Sequence, residues 1–145
     1  MLVNLLRLLP PETAHAITIQ LLKSNLNLKK KHSKNYKSLN QNILDINFKN
    51  PIGLAAGFDK NAEVIKQMFD YGFGFIEVGT VTPKKQLGNE KPRVFRLVQD
   101  DAIINHLGFN NKGSEEILFN LKSFFANKDI NEVIGINVGK NKSTK

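Results

Sequence analysis

A change of hydrophobic period near residue 43 constrains this chain more than any other feature of it. Upstream, apolar residues recur at helical spacing. Downstream, short apolar runs alternate with helical stripes, and that alternation dictates the class of fold. "ILDINF" (43–48) alternates and reads as a strand, and "IGLAAG" (52–57) reads as a short buried strand. "NAEVIKQMFDYGFG" (61–74) reads as a helix, with Val64, Met68 and Phe69 near helical spacing and Gly72 able to stop it. "FIEVGTVTP" (75–83) is the next strand, residues 83–92 form a loop, and "RVFRLVQDDAIIN" (93–105) reads as a strand pair around "QDD". "NKGSEEILFNLKSFFAN" (111–127) predicts a helix with Ser114 as N-cap and Ile117, Leu121, Phe124 and Phe125 along one face. "EVIGINVGKN" (132–141) is one more buried strand. Strand, helix, strand, helix, strand is the signature of an α/β fold with a parallel sheet covered on both faces. Polar residues gather just past the strand ends: Asp59 and Lys60, then Thr80 and Thr82, then Asn137, Lys140 and Asn141. In α/β folds that edge binds ligands.

Ahead of the sheet, Leu2, Leu5, Leu6 and Leu9 form one helical stripe, which Pro10 and Pro11 break. Pro11 suits the first turn of a second helix, with Glu12 where the helix dipole favours an acid. Ala14, Ile17 and Leu21 would share its inner face, widened by Ile19 and Leu22. The formal charge of +8 owes much to the run "LKKKHSKNYK" (28–37), which reads as a solvated linker or as a segment drawn to anionic lipid. No recognised nucleic-acid motif surrounds it, so nucleic acid is not an expected partner. No apolar stretch approaches the roughly 20 residues of a membrane span, and no small-residue cleavage site follows the N-terminus, which is expected to be retained. With no cysteine, disulfide frameworks and thiolate metal sites are excluded.

Two motifs mislead. "GINVGKN" (135–141) has three residues between its glycines where a phosphate-binding loop has four, and Asn141 stands where Ser or Thr would hold magnesium. No G-x-G-x-x-G opens a helix, and His15, His32 and His106 are too scattered to argue for a metal. The positive signals are the small residues Ala55, Ala56 and Gly57, which allow close approach by a flat ligand, and the amides of Asn105, Asn110, Asn111 and Asn137. Paired amide donors and acceptors suit a heterocycle such as a flavin or a pyrimidine. Taken singly, each asparagine reads equally as a turn residue and Lys60 as a surface charge.

"NPIGLAAGFDKN" (50–61), "GFGFIEVGTVTPKKQLGNEKPRVFRL" (72–97), "INHLGFNNKG" (104–113) and "GINVGKNK" (135–142) together resemble the class 2, quinone-linked dihydroorotate dehydrogenases. The resemblance runs over essentially the whole chain, in the family's order. It implies an FMN-dependent oxidation of dihydroorotate to orotate in pyrimidine biosynthesis, on a (β/α)₈ TIM barrel with the flavin at its C-terminal face. By resemblance, Ala56, Gly57, Phe58, Asp59, Lys60, Thr80 and Asn137 would contact FMN. Lys60 would also meet the substrate, in a pocket built by Asn105, His106, Leu107, Gly108 and Phe109. His15 and Arg96 would line a quinone tunnel within the amphipathic N-terminal pair, which would lie on the membrane as a peripheral attachment, at the cytoplasmic face if the source is bacterial.

The resemblance divides the chain into a membrane- and quinone-associated helical region with its basic linker (1–40) and a barrel portion (41–145). A barrel of this kind needs about 250 residues, and the residues here accommodate about three of its eight strands. The family's catalytic base, a serine after a later strand, is expected beyond Lys145, because Ser143 follows "GKNK" too soon. The loops that hold the FMN phosphate are expected there too. The chain therefore reads as an N-terminal portion with little or no activity alone, for which a complementing C-terminal fragment is a candidate partner. A second reading is a non-enzymatic product in which the N-terminal helices bind membrane or a protein partner.

Overall fold

The computed structural model describes residues 2–24, 37–126 and 131–144. The basic run falls outside the described residues up to position 36. Two helices open the chain, α1 (Leu2–Arg7) and α2 (Pro11–Lys23), joined at the proline corner. Pro11 occupies the first turn of α2 and Glu12 lies beside it. The inner face of α2 is rotated from the expected one. Ala14, Ile19 and Leu22 are buried, Leu21 is half-buried, and Ile17 is exposed. In α1 and the turn after it, Leu5 is 61% and Leu8 81% exposed, while Leu6 and Leu9 are half-buried.

The segment read as one strand at 43–48 is a hairpin, β1 (Gln41–Ile43) with β2 (Ile46–Phe48). Leu44 and Asp45 both adopt positive φ (49° and 63°), the two-residue turn that matches strand twist, and the apolar alternation concealed it. The Phe48 ring meets that of Phe75 edge-on, so the hairpin covers the N-terminal end of the main sheet.

That sheet holds three parallel strands in the order β3 (Gly53–Leu54), β4 (Phe75–Val81), β7 (Val133–Val138). β5 (Val94–Leu97) and β6 (Ala102–Asn105) form the expected antiparallel pair. Two helices, α3 (Ile65–Asp70) and α4 (Ser114–Phe125), complete the fold. The core gathers Val64, Ile65 and Met68 of the α3 region, Ile76 and Val78 of β4, Ile117 and Leu121 of α4, and Ile19 and Leu22 of α2. Helix α2 is thus seated in the same core as the sheet. On the opposite face of β4, Glu77 accepts a hydrogen bond from the Asn137 Nδ2 of β7 at 2.9 Å.

Five local expectations are corrected. The strand at 52–57 is only two residues long. Helix α3 begins at Ile65 rather than near residue 61. The Asp59 carboxylate captures the N–H groups of Glu63 (2.7 Å) and Val64 (2.9 Å), and Ala62 sits at φ 58°, which holds 59–64 as a loop. Ser114 is the first helical residue rather than the cap; Gly113 occupies the cap position and the Ser114 hydroxyl donates to the Pro83 carbonyl. Phe125, one residue past the Ile117–Leu121–Phe124 stripe, is 50% exposed, and Ile136 and Val138 of β7 are exposed as well.

Candidate functional site

The parallel strands end where the small-residue segment turns. Gly57 (φ 106°) donates its N–H to the Gly79 carbonyl, and Gly79 donates to the Asp59 carbonyl, so the turn is stitched to the end of β4. A Cβ at Gly57 would meet nothing within 4 Å, so open ground lies beyond the backbone there. Asp59 is 1% exposed and its carboxylate is committed to the 59–64 loop. Burial pushes that carboxyl up from its ordinary range, against the two N–H bonds that hold it down. The loop so formed presents Lys60.

Lys60 faces two adjoining hollows of about 360 and 530 Å³, both also lined by His15, Arg93 and Asn110. Burial pushes its ammonium down from the ordinary lysine range; Glu12 opposes the shift and Arg93 adds to it. The Oδ1 of Asn110 is buried with no hydrogen-bond partner among the described residues. A half-buried cation and a buried acceptor with no partner among the described residues, in one hollow, are polar features of a binding site.

Helix α2 forms one wall. His15 Nε2 lies 2.7 Å from the Phe58 carbonyl and donates to it, and its ring meets the Phe58 ring edge-on. Burial, and then the Lys60 charge, push the imidazole below its ordinary value. Arg93, 6% exposed, pairs with Glu12 through Nη2 at 2.7 Å, and that hydrogen bond holds the Glu12 carboxyl below its usual range. Arg96 donates from Nη1 to the carbonyls of Arg7 (2.9 Å) and Leu9 (2.7 Å), capping the end of α1.

The predicted site residues do not all come together. Phe58, Asp59, Lys60, Leu107 and His15 line the hollows. Thr80 and Asn137 meet each other at the sheet edge, hydroxyl to amide oxygen at 2.6 Å. Asn105, His106 and Phe109 are exposed at the end of β6 and just after it, and none of them lines either hollow. The His106 ring stacks on Phe95, and Gly108 and Phe109 take positive φ (73° and 53°). Ala56 and Gly57 are half-buried in the turn, and Arg96 lies at the foot of α1.

Glu12, Glu77 and Arg93 escaped the sequence reading. Glu77 carried a signal, a lone acid inside an apolar strand. Arg93 differs in nothing local from its neighbour Arg96, and Glu12 read as a dipole partner alone.

A protein-family model described as "Dihydroorotate dehydrogenase" matches residues 38–145. The chain belongs to the dihydroorotate dehydrogenase family. Curated relatives named dihydroorotate dehydrogenase (quinone) include those of Rhizobium rhizogenes, 49% identical over 94% of this chain, and Bartonella tribocorum, 52% identical over the same share. The chain spans 36% of the length of each of these dehydrogenases. The ligand-free crystal structure of DHODH from Eimeria tenella superposes with a TM-score of 0.84 at 44% identity, over 92% of this chain and 38% of that one. The complex of the same Eimeria protein with ferulenol gives 0.85. The three parallel strands are accordingly the corresponding part of a dihydroorotate dehydrogenase (β/α)₈ barrel.

The residues present fit a flavin ring. The Lys60 ammonium and the Asn110 oxygen in the hollows, and the open ground at Gly57 beside the small Ala56 just outside the hollows' lining, offer what a flat, partly anionic heterocycle requires. Thr80 and Asn137 add a hydroxyl and an amide at the same sheet edge.

Proposed function

We propose that this chain provides the dihydroorotate- and flavin-facing strand ends of a quinone-linked dihydroorotate dehydrogenase. Its reaction is the oxidation of (S)-dihydroorotate to orotate, with quinone as final acceptor. The observation that carries the reading is the half-buried Lys60 ammonium, set by the Asp59 loop beside the partnerless Asn110 oxygen. Ala56, Gly57, Phe58, Asp59, Thr80 and Asn137 would hold FMN, and Asn105 to Phe109 would shape the substrate pocket. When bound, the flavin supplies the hydride acceptor and passes electrons to quinone.

The chain's own part is binding, orientation and charge. Lys60 attracts the carboxylate of an anionic substrate and stabilises negative charge on the ring system beside it. Its partial desolvation strengthens both effects. Residues 1–40 form the membrane- and quinone-facing region, with His15 and Arg96 on the quinone path and the exposed Leu5 and Leu8 turned to lipid; residues 41–145 form the barrel portion. A peripheral attachment suits these elements, since no helix among the described residues is long and apolar enough to cross a membrane.

The test is Lys60→Ala in a chain where this segment is continued by the rest of a relative's barrel. Dihydroorotate-dependent quinone reduction should fall about 100-fold or more, the usual cost of removing a preorganised charge. Turnover near the starting level would remove Lys60 from the site.

A further inference from the structure

We propose that Arg93 is a positioning residue which couples the seating of helix α2 to the 106–108 wall of the substrate pocket. What that wall binds rests on the dihydroorotate reading above; the coupling rests on geometry alone.

Arg93 lies between two loops and a helix. On one side its Nε and Nη2 reach the Glu12 carboxylate of α2, Nε at 3.1 Å from both oxygens and Nη2 at 2.7 Å from Oε1. On the other side its Nη1 donates to the carbonyls of Leu87 (2.7 Å) and Asn89 (2.8 Å), with Leu107 farther off at 3.4 Å. The loop that Nη1 holds in turn grips the pocket wall. Asn89 donates from its backbone to Leu107 O (3.0 Å) and from Nδ2 to His106 O (2.7 Å), and Gln86 Nε2 donates to Gly108 O (3.0 Å). The His106 N–H closes the circuit on the Arg93 carbonyl. Three successive carbonyls of the wall are therefore held by one loop; the guanidinium holds that loop at Leu87 and Asn89, while Asn111 and Lys142 hold it at Gln86 and, through the Lys142 ammonium, at Asn89.

The fit tolerates little slack. Gly88 has φ 81°, and a Cβ there would run into the Leu107 carbonyl and stand 2.7 Å from Arg93 Nη1. Only a planar fork of donors can span a carboxylate and two carbonyls at once; a lysine ammonium offers three donors from a single point.

Helix α2 meets the opposite side of the hollow one turn along. Glu12 and His15 are three residues apart and share a face. His15 fastens to Phe58 O, two residues before Lys60. The one helix thus grips the Lys60 side through His15 and the Leu107 side through Glu12 and Arg93. Its hold on the core is separate, through Ile19 and Leu22. Loss of Glu12 should release the first turn and the wall without undocking the helix.

Amide hydrogen exchange on the full chain tests the coupling. Glu12→Gln and Arg93→Lys should each speed exchange at Asn89 and His106 by about tenfold, the scale of one charge-assisted hydrogen bond, while Val78 and Ile117 in the core stay unchanged. Lys23→Gln, which breaks the Lys23–Glu63 pair at the far end of α2, should leave Asn89 and His106 as they were. Equal acceleration at all four amides in the Glu12 variant would mean simple destabilisation and overturn the proposal, as would no change at Asn89 and His106. In the flavin-loaded fused enzyme, Glu12→Gln should raise the KM for dihydroorotate several-fold and change kcat less; an unmoved KM would reduce Arg93 to a structural role. Failure of the unsubstituted fused enzyme to oxidise dihydroorotate would count against the functional reading alone, because the exchange experiment needs neither flavin nor substrate.

Discussion

At position 60 an ammonium gives up part of its hydration beside a second cation, Arg93, with Glu12 as the nearby counter-charge. Folding lowers its pKa from the ordinary 10.5, so the native state binds the proton less well than the unfolded chain does. The charged form therefore costs stability at neutral pH, a cost that fades as pH rises through the folded pKa. Lys60→Met should accordingly stabilise the chain at neutral pH by up to about 1 kcal/mol, the common trade of stability for function, and thermal unfolding reads it directly. Glu12 behaves in the opposite way. Its pKa lies below the ordinary 4.5 because Arg93 bonds the carboxylate, so its contribution is complete above 4.5 and is lost as pH falls through the folded value. Denaturant titrations of Glu12→Gln should show a smaller loss of stability on acidification than the parent chain. Lys60 was legible in the sequence because it follows a strand and a small-residue turn. The Glu12–Arg93 pair was not, because its partners are separated by 81 positions and no local pattern joins them.

Among the elements, α2 illustrates the limits of periodicity. Its proline start was legible, but its inner face was misplaced, since Ile17 and Ile19 are both apolar and only packing selects Ile19. The same gap separates the one-strand reading at 43–48 from the hairpin found there, where positive φ at Leu44 and Asp45 goes unannounced by glycine or asparagine. The parallel strands and the β5–β6 pair were readable because each is a bounded apolar run. Two substitutions separate burial from surface role in the N-terminal region. Leu22→Ala should cost about 2–4 kcal/mol in denaturant unfolding, as a large-to-small change in the core. Leu8→Ser, at a site 81% exposed, should leave unfolding unchanged and weaken binding to anionic vesicles, as the peripheral-attachment proposal requires.

At the scale of the described residues, a parallel sheet has a hollow beyond its strand ends, closed on one side by helix α2. The chain's fold class was legible from strand–helix alternation, and its family from the long blocks around the strand ends. The closing of the hollow by α2 was not, because it depends on Ile19 and Leu22 entering the same core as β4. A net charge of +8 suits both an anionic substrate and an anionic lipid surface, and does not choose between them. The central claim is that these strand ends face a flavin beside dihydroorotate. Flavin absorbance of the segment continued by a relative's remaining barrel, followed anaerobically as dihydroorotate is added, is its most direct test. The account predicts a yellow protein that bleaches on addition of dihydroorotate and recovers its colour with quinone; a colourless protein, or a yellow one that dihydroorotate leaves unbleached, would contradict it.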